Sequence, residues 1–305
     1  ALDHLMSSGE DQESLKLAID CVGASQDPDL TRKLVDFLMG EVDGIPKDAK
    51  YLFRLYTALK MYRDAAKIAI IIAREEQNNG QYRLAHDVLC SMYQELRNQR
   101  IVIPAEMENS LMLIHSYLLA KTHVKKGNHN IAARMLIRVC GSISRFPAHT
   151  VQILTSSVIE CQRSGLKKSA FQFAAMLMRP ENRSRIDEKY KKKIEQIVRR
   201  PDKSEEDEKK TPCPFCGTSI KESELSCFSC KAAIPYCIAS GMHIIRDELV
   251  LCPSCSFPAN REELLRLLSS DDRNCPMCGK QIDQDSLNEL VDFTSFMAQK
   301  EAAQD

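Results

Sequence analysis

Ten side chains between Cys213 and Cys278, a span of 66 residues, are soft-metal ligands. Eight form Cys-x-x-Cys pairs: Cys213/Cys216, Cys227/Cys230, Cys252/Cys255 and Cys275/Cys278. The other two are Cys237 and His243, the one histidine of this stretch. Two residues between cysteines let both sulfurs of a tight turn face one ion, and two such turns complete a tetrahedral thiolate shell. Gly217, directly after Cys216, permits the left-handed backbone that such a turn needs. The spacing therefore predicts zinc, with two structural ions as the expected content.

Cys213, Cys216, Cys227 and Cys230 read as one zinc-ribbon site, with TSIKESELS between the pairs supplying a short strand and a turn. Cys252, Cys255, Cys275 and Cys278 read as a second, ribbon-like or treble-clef-like site. REELLRLLSS between those pairs reads as a short amphipathic helix. Ten ligands do not divide by four, so Cys237 and His243 stay open. The pair is structural, or it displaces one knuckle and joins Cys252/Cys255. In the third arrangement, a RING-type cross-brace, 213/216 joins 237/243 and 227/230 joins 252/255. Two all-cysteine sites are the favoured arrangement, with Cys237 and His243 retained as candidate ligands.

A catalytic zinc keeps a position for water beside a general base, whereas these shells fill with sulfur. HExxH, the zinc deaminase signature, the P-loop and GxSxG are absent from the sequence. No catalytic residue is assigned, and the chain is expected not to be an enzyme. From Cys213 onward there are 8 Lys+Arg against 14 Asp+Glu. Binding to phosphates needs clustered positive charge, so an acidic zinc module argues for protein partners and against nucleic acid. DSLNELVDFTSFMAQ reads as a final amphipathic helix carrying Leu287, Leu290, Val291 and Phe293.

What must position this module lies upstream. PDKSEEDEKKTP at 201–212 is a charged linker with no aliphatic or aromatic residue. Before it, apolar residues recur with helical period, as in Leu30, Leu34, Phe37 and Leu38, or Leu111, Leu118 and Leu119, with His115 the polar exception. A short template repeats: Gly80 precedes Ala85 by five residues, Gly127 precedes Ala132, and Gly165 precedes Ala170. Met61 and Ala66 read in the same frame without the glycine. A turn glycine and a small residue early in the following helix describe stacked helix hairpins. RSRIDEKYKKKIEQIVRR at 183–200 reads as a last amphipathic helix with a basic face. The expected architecture is mostly α. A tetratricopeptide-like solenoid occupies 1–200 and the linker 201–212. A small α+β zinc domain with a C-terminal helix occupies 213–305.

The whole chain carries 42 Lys+Arg and 42 Asp+Glu, so net charge points to neither nucleic acid nor an anionic membrane. No apolar run is long enough for a transmembrane helix. Of 13 cysteines, Cys21, Cys90, Cys140 and Cys161 are scattered through the helical part and read as small core residues. The sequence begins at Ala1, without Met, which fits a processed chain or a piece of a longer one.

The run CPFC…CFSC…IPYCIASGMHIIRDELVLCPSCSFPA…CPMCGKQI resembles the C-terminal region of WD-repeat subunits of intraflagellar transport complex A, above all the subunit of largest mass. The resemblance implies a non-enzymatic scaffold that contacts other complex A subunits, with a tubby-like cargo adaptor as a further partner. It implies a role in retrograde ciliary transport and in ciliary entry of membrane cargo. Cilium, basal body and cytoplasm follow as locations. The competing expectation is a RING-like ubiquitin ligase, or a coat or tethering-complex subunit with a zinc-stabilised terminus. A transcription-type ribbon is disfavoured by the acidic charge.

Overall fold

The computed structural model describes residues 12–302 apart from 43, 203, 205, 206 and 269–272, and no side chains from 299 onward. Thirteen helices and four short strands occur among these residues. The helices are α1 Gln12–Ser25, α2 Pro28–Leu38, α3 Ala49–Ala58, α4 Tyr62–Asn78, α5 Tyr82–Asn98, α6 Ala105–Lys125, α7 His129–Cys140, α8 Thr150–Arg163, α9 Lys167–Leu177, α10 Pro180–Arg183 and α11 Glu188–Arg199, then α12 Arg261–Leu268 and α13 Phe293–Ala302. Strands β1 Lys210–Pro212 and β2 Ser219–Lys221 pair antiparallel, as do β3 Leu249–Leu251 and β4 Pro258–Asn260. The chain is thus mostly helical, with its cysteine-rich part in small hairpins. No helix among the described residues is long and apolar enough to cross a membrane.

The described residues divide into two compact units, one within 12–76 and 84–110, the other within 77–83 and 111–302. In the first, α1, α2 and α3 close over Leu15, Ile19, Val22, Leu34, Phe37, Leu38 and Leu55. The Asp27 and Asp48 carboxylates cap the N-termini of α2 and α3, accepting N–H groups that the helix leaves unpaired. Gly23 sits where a Cβ would stand 2.8 Å from the Ala58 Cβ, so α1 and α3 approach through their smallest residues.

The alanine template is visible in both units. Ala66, Ala85, Ala132 and Ala170 are fully buried. The frame proposed for Met61 is off by one residue. Lys60, at φ +57°, takes the left-handed position held by Gly80, Gly127 and Gly165, and α4 begins two residues after it. The Met61 N–H then bonds Tyr56 O at 2.8 Å, satisfying a carbonyl of the preceding helix end. Cys90, Cys140 and Cys161 are buried, whereas Cys21 is exposed.

In the second unit α6 is buried nearly all round, through Leu111, Ile114, Tyr117, Leu119 and Ala120. Helices α7, α8 and α9 follow as antiparallel neighbours, closed by Leu136, Val139, Leu154, Val158, Phe173 and Leu177. An aromatic cluster of Tyr82, Tyr117, Phe146 and His149 packs at ring separations of 4.8 to 6.0 Å. On α11, Ile186 before the helix and Ile194 within it are the buried members of the expected stripe. The expected final helix is broken. A 3-10 turn at Gln284–Leu287 precedes an extended crossing in which the Val291 N–H bonds Leu249 O. Asp292 then starts α13 by accepting the Ser295 N–H at 2.8 Å. Leu287 and Phe293 are buried but Leu290 is exposed. Caps at Asp283 and Asp292 and the strand-like bond to Leu249 outweigh helical periodicity here.

Candidate metal centres

The cysteine turns share one backbone design. In each, the first cysteine's N–H donates to the carbonyl five residues on, and the residue four on donates back to the cysteine's carbonyl. The first bonds reach Thr218, Ala232, Phe257 and Lys280, and the second come from Gly217, Lys231, Ser256 and Gly279, all at 2.7 to 3.0 Å. That fourth residue has positive φ in every case, including the non-glycines Lys231 and Ser256. The residue before each cysteine pairs across the turn with the one six beyond it: Pro212 with Ser219, Ser226 with Ala233, Leu251 with Pro258, Asn274 with Gln281. The turn points both sulfurs to one side.

A fifth copy went unnoticed in the sequence. The Cys237 N–H bonds Met242 O, the Gly241 N–H bonds Cys237 O, both at 2.7 Å, and Tyr236 pairs with His243. Gly241 has φ +70°. Ser240 stands where the second cysteine would be. The signal was present, since Cys-Ile-Ala-Ser-Gly at 237–241 has the length and closing glycine of Cys-Pro-Phe-Cys-Gly at 213–217.

The structure brings the eight paired cysteines together in two sets. Cys213, Cys216, Cys227 and Cys230 form one, and Cys252, Cys255, Cys275 and Cys278 the other, with all sulfurs of a set within 4.8 Å of one another. The pairing follows chain order, not the interleaved order of a cross-brace. Four sulfurs each about 2.3 Å from one ion, at tetrahedral corners, lie about 3.8 Å apart. The Cys213–Cys230, Cys216–Cys227 and Cys255–Cys275 separations are 3.8, 3.6 and 3.8 Å. All are far beyond a disulfide bond, and none of these eight cysteines is in one. The donor sets fit two structural zinc ions.

Electrostatics agrees. The Thr218 hydroxyl and backbone amide hold the Cys216 thiol down to about 6. At the second set, hydrogen bonds from Cys255 and then Cys275 hold Cys252 well below the usual thiol range, while Cys255 is pushed far up. Sulfurs this close share protons, because the first thiolate raises the cost of the next. A divalent cation removes that conflict.

Cys237 and His243 join neither set. The Cys237 sulfur, fully buried, accepts the N–H groups of Asn260 at 3.2 Å and Ala239 at 3.3 Å. His243 places Nε2 2.6 Å from Thr211 Oγ1 and Nδ1 3.1 Å from Glu224 O. Burial pushes the His243 imidazole below its usual range.

The cysteine-rich part rests on α6, on Lys126 just after it and on α7, through donors aimed mostly at main-chain carbonyls. His115 Nε2 meets Ile238 O at 2.9 Å, and His123 Nε2 meets Ala239 O at 2.7 Å. Lys126 Nζ donates to Leu267 O at 2.5 Å, and Arg138 to Ser223 O at 3.0 Å. Arg134 pairs with Glu208 at 3.0 Å, both side chains well covered. His115, noted in the sequence only as a polar exception on an apolar stripe, is one of these anchors.

Comparison with known proteins agrees with this layout. Residues 235–283 match a family model described as "IFT121, second zinc finger domain". The chain is 57% identical to WD repeat-containing protein 19 of Mus musculus over 299 residues, covering 97% of this chain and 22% of that protein. It is also 57% identical to the Homo sapiens protein of that name over 303 residues, covering 99% and 22%. WD repeat-containing protein dyf-2 of Caenorhabditis elegans is 47% identical over 280 residues, covering 92% and 20%. The chain thus spans about a fifth of the length of these relatives.

Proposed function

We propose that this chain belongs to a subunit of intraflagellar transport complex A, the one of largest mass, and works there as a non-enzymatic scaffold. Its partners are the other complex A subunits, with a tubby-like cargo adaptor as a further one. Its sphere is retrograde ciliary transport and entry of membrane cargo, at the cilium and basal body. The observation that carries this reading is continuous similarity at 57% identity through the helix hairpins and both cysteine sets. Saturated thiolate shells support it, because an ion surrounded by four sulfurs stabilises a fold and offers no position for a reacting water.

Within this reading Cys213, Cys216, Cys227 and Cys230 hold one zinc, and Cys252, Cys255, Cys275 and Cys278 the other. Helix hairpins at 1–200 present the contact surfaces, and residues 213–305 form the zinc-stabilised end. Binding of the purified chain to each purified complex A subunit tests the proposal. The expected result is a stable complex with at least one subunit, weakened after zinc removal. Failure to bind any of them overturns it.

A further inference from the structure

The turn from Cys237 to His243 has the backbone of a zinc knuckle and the wiring of a strut. Its one sulfur is already an acceptor for two buried N–H groups, from Ala239 and Asn260. Its second sulfur position holds Ser240, whose Oγ accepts the Met242 N–H at 3.4 Å. A histidine that binds a metal must keep one ring nitrogen's lone pair free. At His243 the geometry gives Nδ1–H donating to Glu224 O, which leaves Nε2 to accept the Thr211 hydroxyl. Both nitrogens are engaged.

Those bonds run in three directions. Toward the second cysteine set, the Ile238 N–H bonds Pro258 O at 3.1 Å and the Asn260 N–H bonds the Cys237 sulfur, both on the strand that follows Cys255. Toward the first set, the His243 N–H bonds Glu222 O at 2.9 Å, while its ring holds Thr211, two residues before Cys213. Toward the helices, Ile238 O and Ala239 O take the donors of His115 and His123 on α6. Gly241 lies so close to α7 that a Cβ there would stand 2.9 Å from the end of Met135. Ile238, Ala239, Ser240 and Gly241 are all buried.

We infer that Cys237–His243 is a metal-free knuckle that docks the zinc module onto helices α6 and α7 of its own chain and ties the two zinc sites together. The reason is geometric. Hydrogen bonds from main chain to sulfur and from His243 replace the ion that holds the other knuckles, so this turn can bury its tip against a helix.

The inference rests on assigning the other eight cysteines to two ions, and a separate control tests that. Cys252→Ser should lower zinc from two ions per chain to one. Zinc content, zinc-edge X-ray absorption and amide hydrogen exchange of the whole chain then test the knuckle itself. The wild type should show two ions per chain with four sulfurs each and no imidazole nitrogen. Cys237→Ala combined with His243→Ala should keep both ions. It should speed exchange of segments 236–244 and 258–262 by at least roughly tenfold, and leave α8 and α9 unchanged. His115→Ala with His123→Ala, which leaves the turn itself intact, should speed exchange in 236–244 likewise. Imidazole scattering, loss of zinc in the first double variant, or unaltered exchange in both variants would overturn the inference.

Discussion

At the first cysteine set two of four ligands, Cys216 and Cys230, face solvent, and the tips of its turns expose Phe215 and Phe228. At the second, Cys252, Cys255 and Cys275 are buried and only Cys278 is partly open. Both sets use the same spacing and the same hairpin. What differs is the surrounding chain. The first has a local core of Cys213, Ile220, Cys227 and Ile234 and little else. In the stretch that carries the second, α12 buries Leu264, Leu267 and Leu268, and the turns bury Phe257 and Met277. A motif therefore fixes the ligands, while the intervening sequence fixes how far water and competing ligands can reach them. Ten residues separate the first set's pairs and make a strand and a turn. The stretch between the second set's pairs carries the amphipathic helix α12, and its Leu267 lines one cleft together with Cys275.

Two measurements sharpen that contrast, and a third probes the helix face on which the cysteine-rich part rests. The largest effect should come from α12, between the second site's two cysteine pairs. Leu264→Ala removes a fully buried side chain and should cost about 3 kcal/mol of stability in denaturant unfolding. Phe228→Ser, at the exposed tip of the first site, should stay within about 0.5 kcal/mol. Equal losses would mean that burial on α12 adds nothing to the second site's stretch. Next, a chromogenic chelator should withdraw zinc in two phases, the first site emptying at least roughly tenfold faster, because local opening limits access to the buried set. Cys216→Ser should remove the fast phase and keep the slow one. A single phase from wild type would dissolve the distinction.

The smallest effect is a pH dependence that belongs to the docking face, not to either site. Burial lowers the His123 pKa from 6.5, outweighing the opposing hydrogen bond to Ala239 O. The folded chain thus binds fewer protons than the unfolded chain below that value. Stability is present in full above about pH 6.5 and is lost as pH falls toward the folded pKa. His123→Gln should flatten this slope by no more than about 1.4 kcal/mol at pH 5.5, read from thermal midpoints between about pH 7.5 and 5.5. A slope identical to wild type would remove His123 from the account.

The sequence revealed much of the site but less of its setting. Cys-x-x-Cys pairs are local, so their sulfurs converge whatever the rest of the chain does. The buried alanines after each turn were equally legible, since helix approach depends on residue size. Lys60 was misframed because a non-glycine at positive φ leaves no mark in composition. The segment 285–299 reads as one helix in sequence because periodicity alone does not register a cap at Asp292 or the bond from Val291 to Leu249.

By itself the sequence determined the chemistry of this protein: sulfur in fours, helices in hairpins, and net negative charge from Cys213 onward. Tertiary structure alone decided what Cys237 and His243 do. His243 meets Glu224 and Thr211, 19 and 32 positions away, and His115 reaches Ile238 across 123. Whether a histidine nitrogen is free for a metal depends on such distant partners, and no spacing rule carries that information.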